Sequence, residues 1–245
     1  MGCEALKFKD VWPEVIAAIE KIIACYDSVN EVISFRTAGK AREYAVEQAN
    51  VKHKHFVLDA GIGPGTMSKI VLSKSNPDML VGLDASSKML EAAFLKLNGR
   101  IHTVKGMFEN LPFKSETFDR IFASFSLRDA VELEDAIKEF HRVCKKNGIF
   151  VVVDMGKPDN RIVRTFMTFY VKFIMPNIAK ISIVGKISGN PLRLLIPTYE
   201  NLRTNKILRK SIARLFGKAT LKEFAFGGII VITAGKCINN MDQLK

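Results

Sequence analysis

The chain has 245 residues, of which 48% are apolar, so it can enclose a full core and is not a disordered protein. Its formal net charge of +12, from 37 basic and 25 acidic residues, favours an anionic partner such as nucleic acid or a membrane surface, or else belongs to a basic protein with no such partner. The cysteines lack CxxC spacing and predict packed thiols in a reducing compartment, with no metal site: Cys3, Cys25, Cys144 and Cys237.

The N-terminal stretch MGCEALKFKD resembles neither a signal peptide nor a transit peptide, so we expect a cytoplasmic protein. Helix-like and strand-like patterns then alternate along the chain. Helices are predicted at 15–27, 38–49, 86–97 and 131–148, the last of them ended by Gly148. Strands are predicted at 55–60, 79–85, 100–106, 118–126 and 149–155. The last strand is apolar on both faces, which is typical of a parallel sheet covered by helices on both sides.

The regular alternation ends at Gly156. Residues 157–196 are rich in Phe, Ile and Met but contain basic residues, which excludes a simple transmembrane helix. This segment fits either a lid over an apolar ligand or an ordinary helical subdomain. A basic amphipathic helix is predicted at 205–216, followed by an antiparallel hairpin that turns at Gly227 and Gly228.

We therefore expect a single domain, divided into four parts. N-terminal helices occupy 1–50, a cofactor-binding core 51–156, a helical lid or substrate region 157–217, and a C-terminal hairpin 218–245.

The stretch VLDAGIGPGTMSK places a glycine-rich loop directly after the first strand. Its glycines, Gly61, Gly63 and Gly65, differ in spacing from the G-x-G-x-x-G loop that holds the pyrophosphate of a dinucleotide. S-adenosylmethionine has no phosphate, but its ribose and methionine portions must lie against the backbone, which glycine permits. Asp59 ends the strand with a carboxylate suited to the ammonium group of that cofactor. The loop therefore favours S-adenosylmethionine over NAD.

Asp84 ends the second strand, and Ala85 follows it at the same edge of the sheet. A carboxylate at this place can accept hydrogen bonds from both ribose hydroxyls, and such bonds are charge-assisted. The alternative is that Asp84 caps the next helix, although Ser86 is the better candidate for that position. The spacing alone does not exclude NAD.

Longer motifs resemble the ubiquinone/menaquinone biosynthesis C-methyltransferase family, within the class I S-adenosylmethionine-dependent methyltransferases. They are YDSVNEVISF, VLDAGIGPG, VGLDASSKML, the segment from ENLPFKSETF through SFSLRDA to VVVDMGKP, and TLKEFAFGGIIVITAGK. The resemblance covers nearly the whole chain and is weakest at 157–203. It implies a Rossmann-like α/β fold, with a mostly parallel seven-stranded sheet, an antiparallel C-terminal hairpin, N-terminal helices and a helical lid inserted after the fifth strand.

The resemblance also implies further contacts with the cofactor. Ser68 occupies the position of a family threonine, Ser124 lies at the end of the fourth strand, and Met107 and Phe108 lie at the adenine-contacting pair. The family usually has a polar residue where Met107 stands. We therefore expect the adenine to be held by a backbone amide near Phe108 and by apolar packing.

The implied reaction transfers a methyl group to a ring carbon of a reduced, prenylated quinol. Arg128 and Asp129 follow the fourth strand, where Arg128 can stabilise a phenolate and Asp129 can take the hydroxyl proton. Asp129 stands where the family has Asn, and its alternative role is to cap the next helix. Tyr26 and Asp27 either close over the cofactor or pin the N-terminal helices to the sheet.

Other functions stay open at this point. An amino-directed nucleic-acid methyltransferase often carries an Asn/Asp-Pro-Pro-aromatic motif where this chain has SFSLRD, so we expect no nucleic-acid partner. The alternatives are a methyltransferase for another small apolar acceptor and a non-catalytic S-adenosylmethionine-binding protein. A prenylated substrate and the basic residues of 160–215 predict peripheral contact with a membrane, and the sequence leaves a homodimer open.

Overall fold

The computed structural model describes residue 17, residues 20–182 and residues 195–236. Seven strands form one sheet in the order β3-β2-β1-β4-β5-β7-β6. Strands β1 to β5 run parallel, whereas β7 pairs antiparallel with both β5 and β6. The predicted fold, including its C-terminal hairpin, is therefore confirmed. The strands are β1 (Phe56–Ala60), β2 (Met79–Asp84), β3 (His102–Lys105), β4 (Phe118–Ser124), β5 (Cys144–Met155), β6 (Gly217–Phe224) and β7 (Ile229–Lys236).

The helices lie between these strands and on both faces of the sheet. They are α1 (Tyr26–Ile33), α2 (Thr37–Ala49), α3 (Thr66–Lys74), α4 (Ser87–Lys96), α5 (Leu133–Val143), α6 (Arg161–Phe169), α7 (Met175–Ser182), α8 (Leu195–Asn201) and α9 (Asn205–Phe216). A π-helical stretch, Tyr170–Ile174, joins α6 to α7. A short 3₁₀ turn, Leu127–Asp129, follows β4.

Side chains of β5 alternate between two buried clusters. Phe150 and Val152 pack with residues of α5 and α9 on one face, whereas Val151 and Val153 pack with residues of α2, α3 and α4 on the other. This arrangement explains why the strand is apolar on both faces.

The predicted helix over 131–148 is wrong at its C-terminal end. Helix α5 ends at Val143, and Cys144 is already paired with Phe118 in the sheet. A wide bulge follows, because the next residues in register are Arg120 and Ile149. A Cβ at Gly148 would lie 2.6 Å from the Cys144 sulfur. The close approach of these two residues within the bulge therefore requires glycine, and Gly148 does not end the helix.

The N-terminal helices and the lid helices pack against each other. Cys25 and Val29 share a buried cluster with Val171, Met175 and Tyr199. This packing brings α1 together with the segment that follows β5. In the described part of the chain, no helix is both long and apolar enough to cross a membrane. The part of the predicted lid at 183–194 lies outside the described residues.

Candidate active site

The glycine loop follows β1 and curls over the end of β2. The backbone amides of Gly61 and Ile62 both donate to the carbonyl of Leu83, at 2.7 and 3.0 Å. Gly61 has a φ of +68°, and a Cβ there would lie 2.3 Å from the Cβ of Ser126, so no larger residue fits. Gly63 has a φ of +54° with no atom within 4 Å of its Cβ position. The loop therefore presents bare backbone to the cleft above it.

Asp84 is held at the edge of this cleft by backbone donors. Its Oδ2 accepts from the amide of Gly63 and its Oδ1 from the amide of Ser86, both at 2.9 Å. Ser86 is the N-cap of α4 and accepts from Met89, so Asp84 is not the helix cap. Burial raises the pKa of the Asp84 carboxyl, although the backbone donors oppose that rise. These contacts aim a pre-oriented carboxylate at the cleft.

Ala85, Met107 and Phe108 line the end of the cleft next to Asp84. The ring of Phe108 packs on the buried ring of Phe140, with centroids 5.5 Å apart. Met107 carries no polar side-chain group, so this end offers apolar packing surface and backbone atoms to a ligand.

The cleft is also lined by two glutamates that the sequence patterns did not indicate. Glu20 accepts a hydrogen bond from the Ser86 hydroxyl at 2.6 Å, and Glu109 accepts one from the Val131 amide at 2.7 Å. Both contacts join residues that are far apart in the sequence, and no local pattern indicates them.

The glycine loop is held in place by residues at its two ends, Asp59, Gly65 and Ser68. The Asp59 Oδ2 accepts from the Ser68 amide at 3.0 Å and from the Ser68 hydroxyl at 2.7 Å. Both side chains are buried, and burial raises the pKa of Asp59 to about 6. Gly65 precedes α3 with a φ of +85° and packs closely against Ala93. Their direct contact with a cofactor stays a prediction.

Arg128 and Asp129 occupy different positions. Asp129 lines the same cleft as Asp84, whereas Arg128 lines a separate cavity with Asp154 and Asn201. The Arg128 guanidinium donates to the Asp154 Oδ1 at 2.6 Å, and its amide donates to the Oδ2 at 3.1 Å. Arg128 therefore lies on the side of Asp129 that faces away from the cleft, and its contacts with Asp154 hold it there.

The Asp129 carboxylate is the less satisfied member of this group. Its Oδ1 is buried without a hydrogen-bond partner and lies 3.7 Å from the Arg128 Nε. Burial raises the pKa of Asp129 to about 6, although Arg128 pulls it down. Asp129 does not cap α5, whose N-cap is Glu132. A buried carboxylate with this pKa, facing a cleft, can exchange a proton near neutral pH.

Tyr26 and Asp27 have separate roles in the geometry. Tyr26 lines the cleft and also a smaller cavity beside the glycine loop, and burial raises the pKa of its hydroxyl. Asp27 accepts from the Thr66 hydroxyl and pairs with Lys96. The contacts of Asp27 fit a residue that pins α1 to α3 and α4.

Taken together, the cleft offers a carboxylate for vicinal hydroxyls, bare glycine backbone and an apolar end. These are features that suit a nucleoside with a non-phosphate extension, such as S-adenosylmethionine. Among the described residues, no group of three or more His, Cys, Asp and Glu side chains has the arrangement of a metal site.

Comparison with known proteins finds methyltransferases among the relatives of this chain. A demethylmenaquinone methyltransferase of Geobacillus stearothermophilus is 35% identical over 167 residues, which cover 66% of this chain and 71% of the relative. The ubiquinone/menaquinone biosynthesis C-methyltransferase UbiE of Syntrophotalea carbinolica is 30% identical over 162 residues, covering 65% of this chain and 68% of that protein.

Solved structures show the fold at lower identity. An S-adenosylmethionine-dependent methyltransferase from Thermotoga maritima matches with a TM-score of 0.61 at 19% identity, over 90% of this chain and 99% of the other. A methyltransferase in complex with the Haloferax volcanii activator Trm112 matches with a TM-score of 0.63 at 13% identity, over 90% and 98% of the two chains. These matches confirm the methyltransferase fold.

The model of the ubiE/COQ5 methyltransferase family matches residues 7–232. That range includes the glycine loop, Asp84 and the turn with Arg128 and Asp129, and it confirms the resemblance read from the motifs. The chain therefore belongs to the ubiE/COQ5 methyltransferase family.

Proposed function

We propose that this chain is an S-adenosylmethionine-dependent C-methyltransferase that acts on a prenylated quinol in respiratory quinone biosynthesis. The family and the names of its relatives support this class of reaction. The observation that carries the proposal is that one cleft contains both the pre-oriented Asp84 carboxylate and the Asp129 carboxylate, whose Oδ1 is buried without a hydrogen-bond partner. The first residue suits a cofactor, and the second suits proton transfer.

Asp84 would accept the ribose hydroxyls, because the Gly63 and Ser86 amides already fix the orientation of its carboxylate. Met107 and Phe108 would pack on the adenine. The glycine loop would lie against the amino-acid portion. Asp59 and Ser68 would act by holding the loop and the first turn of α3 in place.

When bound, S-adenosylmethionine would supply the electrophilic methyl group to a ring carbon of the acceptor and leave as S-adenosylhomocysteine, and the proton of that ring carbon would pass to water. Asp129 would accept the proton of the neighbouring ring hydroxyl, directly or through a water molecule, which raises the electron density of the ring. Arg128 would keep the Asp129 carboxylate ionised, and Asp154 would orient Arg128. In this arrangement Arg128 is a positioning residue.

A prenylated acceptor resides in a lipid bilayer, and the lid carries an exposed surface suited to one. We call this surface the aromatic face. It comprises Ile162, Phe166, Phe169 and Phe173, which are 54–71% exposed. Apolar side chains exposed in one contiguous patch mark interaction surfaces, and the exposed Arg161 lies on the same helix. We propose that the aromatic face contacts the membrane peripherally.

Some of the basic residues within 160–215 are engaged elsewhere. Arg203 pairs with Glu134, and Arg209 donates to the carbonyl of Ala219. Lys172 pairs with Glu200, and Arg193 lies outside the described residues. The proposed membrane contact therefore rests more on apolar side chains than on the net charge.

The activity is tested with purified protein, isotope-labelled S-adenosylmethionine and chemically reduced demethylmenaquinol in detergent. We expect a product that carries the label on a ring carbon, identified by mass spectrometry. Oxidised quinone serves as the matched control, because it has no hydroxyl to ionise. Cofactor binding without transfer to this or any quinol in a bacterial lipid extract would favour a non-catalytic binding protein, and transfer to another lipid component would favour a different apolar acceptor.

A further inference from the structure

Arg42 is a buried arginine that neither the sequence motifs nor the proposed chemistry had used. It lies in the middle of α2 and is only 4% exposed. Its Nε donates to the hydroxyl of Ser124 at 3.1 Å, and its guanidinium carbon lies 4.6 Å from the centre of the Phe125 ring. These contacts hold the guanidinium plane in one orientation beside the carboxyl end of β4.

The charge of Arg42 lacks a partner. Within the described part of the chain, no carboxylate oxygen lies within 4.0 Å of its guanidinium nitrogens, although Asp27, Glu31 and Asp59 lie close enough to favour its charged form. Burial lowers its pKa. A buried arginine is normally paired, because removing an unpaired charge from water is costly. An anion that binds here would satisfy the guanidinium.

The cavity beside Arg42 adjoins the cofactor cleft. It is lined by Tyr26, Arg42, Gly61, Gly63, Thr66 and Ser124. Tyr26, Gly61 and Gly63 line the main cleft as well, so the two spaces meet at the glycine loop. Asp84 lies on the main-cleft side of Gly63, and Arg42 lies on the other side. A ligand whose ribose is bound at Asp84 would extend along the loop toward Arg42.

From this geometry we infer that Arg42 binds the α-carboxylate of an amino-acid sulfonium cofactor, with Ser124 holding the guanidinium in place. The inference rests on the proposed use of S-adenosylmethionine. An arginine presents two parallel N–H donors to a carboxylate, and this pairing is both strong and geometrically selective. The site would thus select for a cofactor that keeps its amino-acid carboxylate.

The test measures binding of two ligands to the full chain by calorimetry. S-adenosylmethionine carries the carboxylate, whereas decarboxylated S-adenosylmethionine keeps the sulfonium and the ammonium but lacks it. We expect the wild-type protein to prefer the first ligand by at least tenfold. Arg42→Met keeps an apolar side chain against Phe125 and should remove most of this preference, lowering affinity for S-adenosylmethionine at least tenfold while leaving affinity for the decarboxylated ligand nearly unchanged.

Arg120→Met is the matched control. Arg120 is also a buried arginine, but it donates to the backbone carbonyls of Ala49 and Asp119, so its loss should leave the ratio of the two affinities unchanged. If Arg42→Met left the ratio of the two affinities unchanged, the carboxylate assignment would be overturned. A wild-type protein that binds neither ligand would instead overturn the proposed function.

Discussion

Replacing Asp129 with asparagine tests whether this carboxylate is placed for chemistry at the expense of stability. The pKa of Asp129 rises from 3.8 to about 6 because the side chain is buried. The folded protein therefore holds this proton more tightly than the unfolded chain. Stability from this group is highest at low pH and is lost as the pH rises from about 4 to about 6, where the folded carboxyl ionises.

The size of the effect follows from that difference in pKa. Above pH 7 the ionised Asp129 lowers the free energy of unfolding by about 3 kcal/mol relative to a neutral group. Asparagine has nearly the same shape and never ionises. Asp129→Asn should therefore be more stable than wild type by up to about 3 kcal/mol at pH 7.5 and by roughly half as much at pH 5.

Urea unfolding of both proteins without ligand, at several pH values, measures this difference. Catalysis should change in the opposite sense. In wild type, kcat should fall below about pH 6 as Asp129 is protonated, and in Asp129→Asn this limb should disappear while substantial activity remains, since a water molecule can still take the proton. A stability difference that does not vary with pH would refute the raised pKa. Complete loss of activity in Asp129→Asn would instead make Asp129 an obligatory base.

Three other substitutions test neighbouring parts of the site. Asp84→Ala should weaken S-adenosylmethionine binding at least tenfold, about 1.4 kcal/mol, and unchanged affinity in a folded variant, measured by calorimetry, would contradict the ribose assignment. Arg128→Ala should lower the single-turnover rate at pH 7 to about the level of Asp129→Asn and move the acid limb of the rate to higher pH, because it leaves Asp129 and Asp154 as adjacent buried carboxylates; an unchanged rate and pH profile would remove this group from the mechanism. The double variant Phe166→Ser/Phe169→Ser should bind anionic vesicles about tenfold less tightly in sedimentation assays, with cofactor affinity unchanged, and equal sedimentation would argue against the aromatic face.

The sequence predicted the parts of the site that depend on local patterns. The glycine loop, Asp84 and the turn after β4 each follow an apolar strand, and the carboxyl ends of parallel strands meet at one edge of the sheet. The end of α5 was missed because Cys144 and the residues after it suit either a helix or a strand. Pairing with Phe118, a contact between distant residues, decides the outcome.

The charge partners could not be predicted, because each joins residues far apart in the chain. Arg128 and Asp154 are 26 residues apart, and Arg42 and Ser124 are 82 residues apart. An arginine within a helical pattern indicates only a solvated face unless the tertiary packing is known. Arg42 is four residues from both Ala38 and Val46, so it lies on the buried stripe of α2 that packs on the sheet. Its contact with Ser124, in contrast, cannot be predicted from that spacing.

The carboxyl groups around the cleft have raised pKa values in the free protein. Burial raises the pKa values of Asp59 and Asp129, and the nearby charge of the half-buried Asp84 raises both further. A ligand with a sulfonium and an ammonium places positive charge among them, whereas its one carboxylate has Arg42 as a buried partner. The proposed cofactor therefore brings both signs of charge to a site that already contains both signs. A ligand that binds only the folded protein stabilises it.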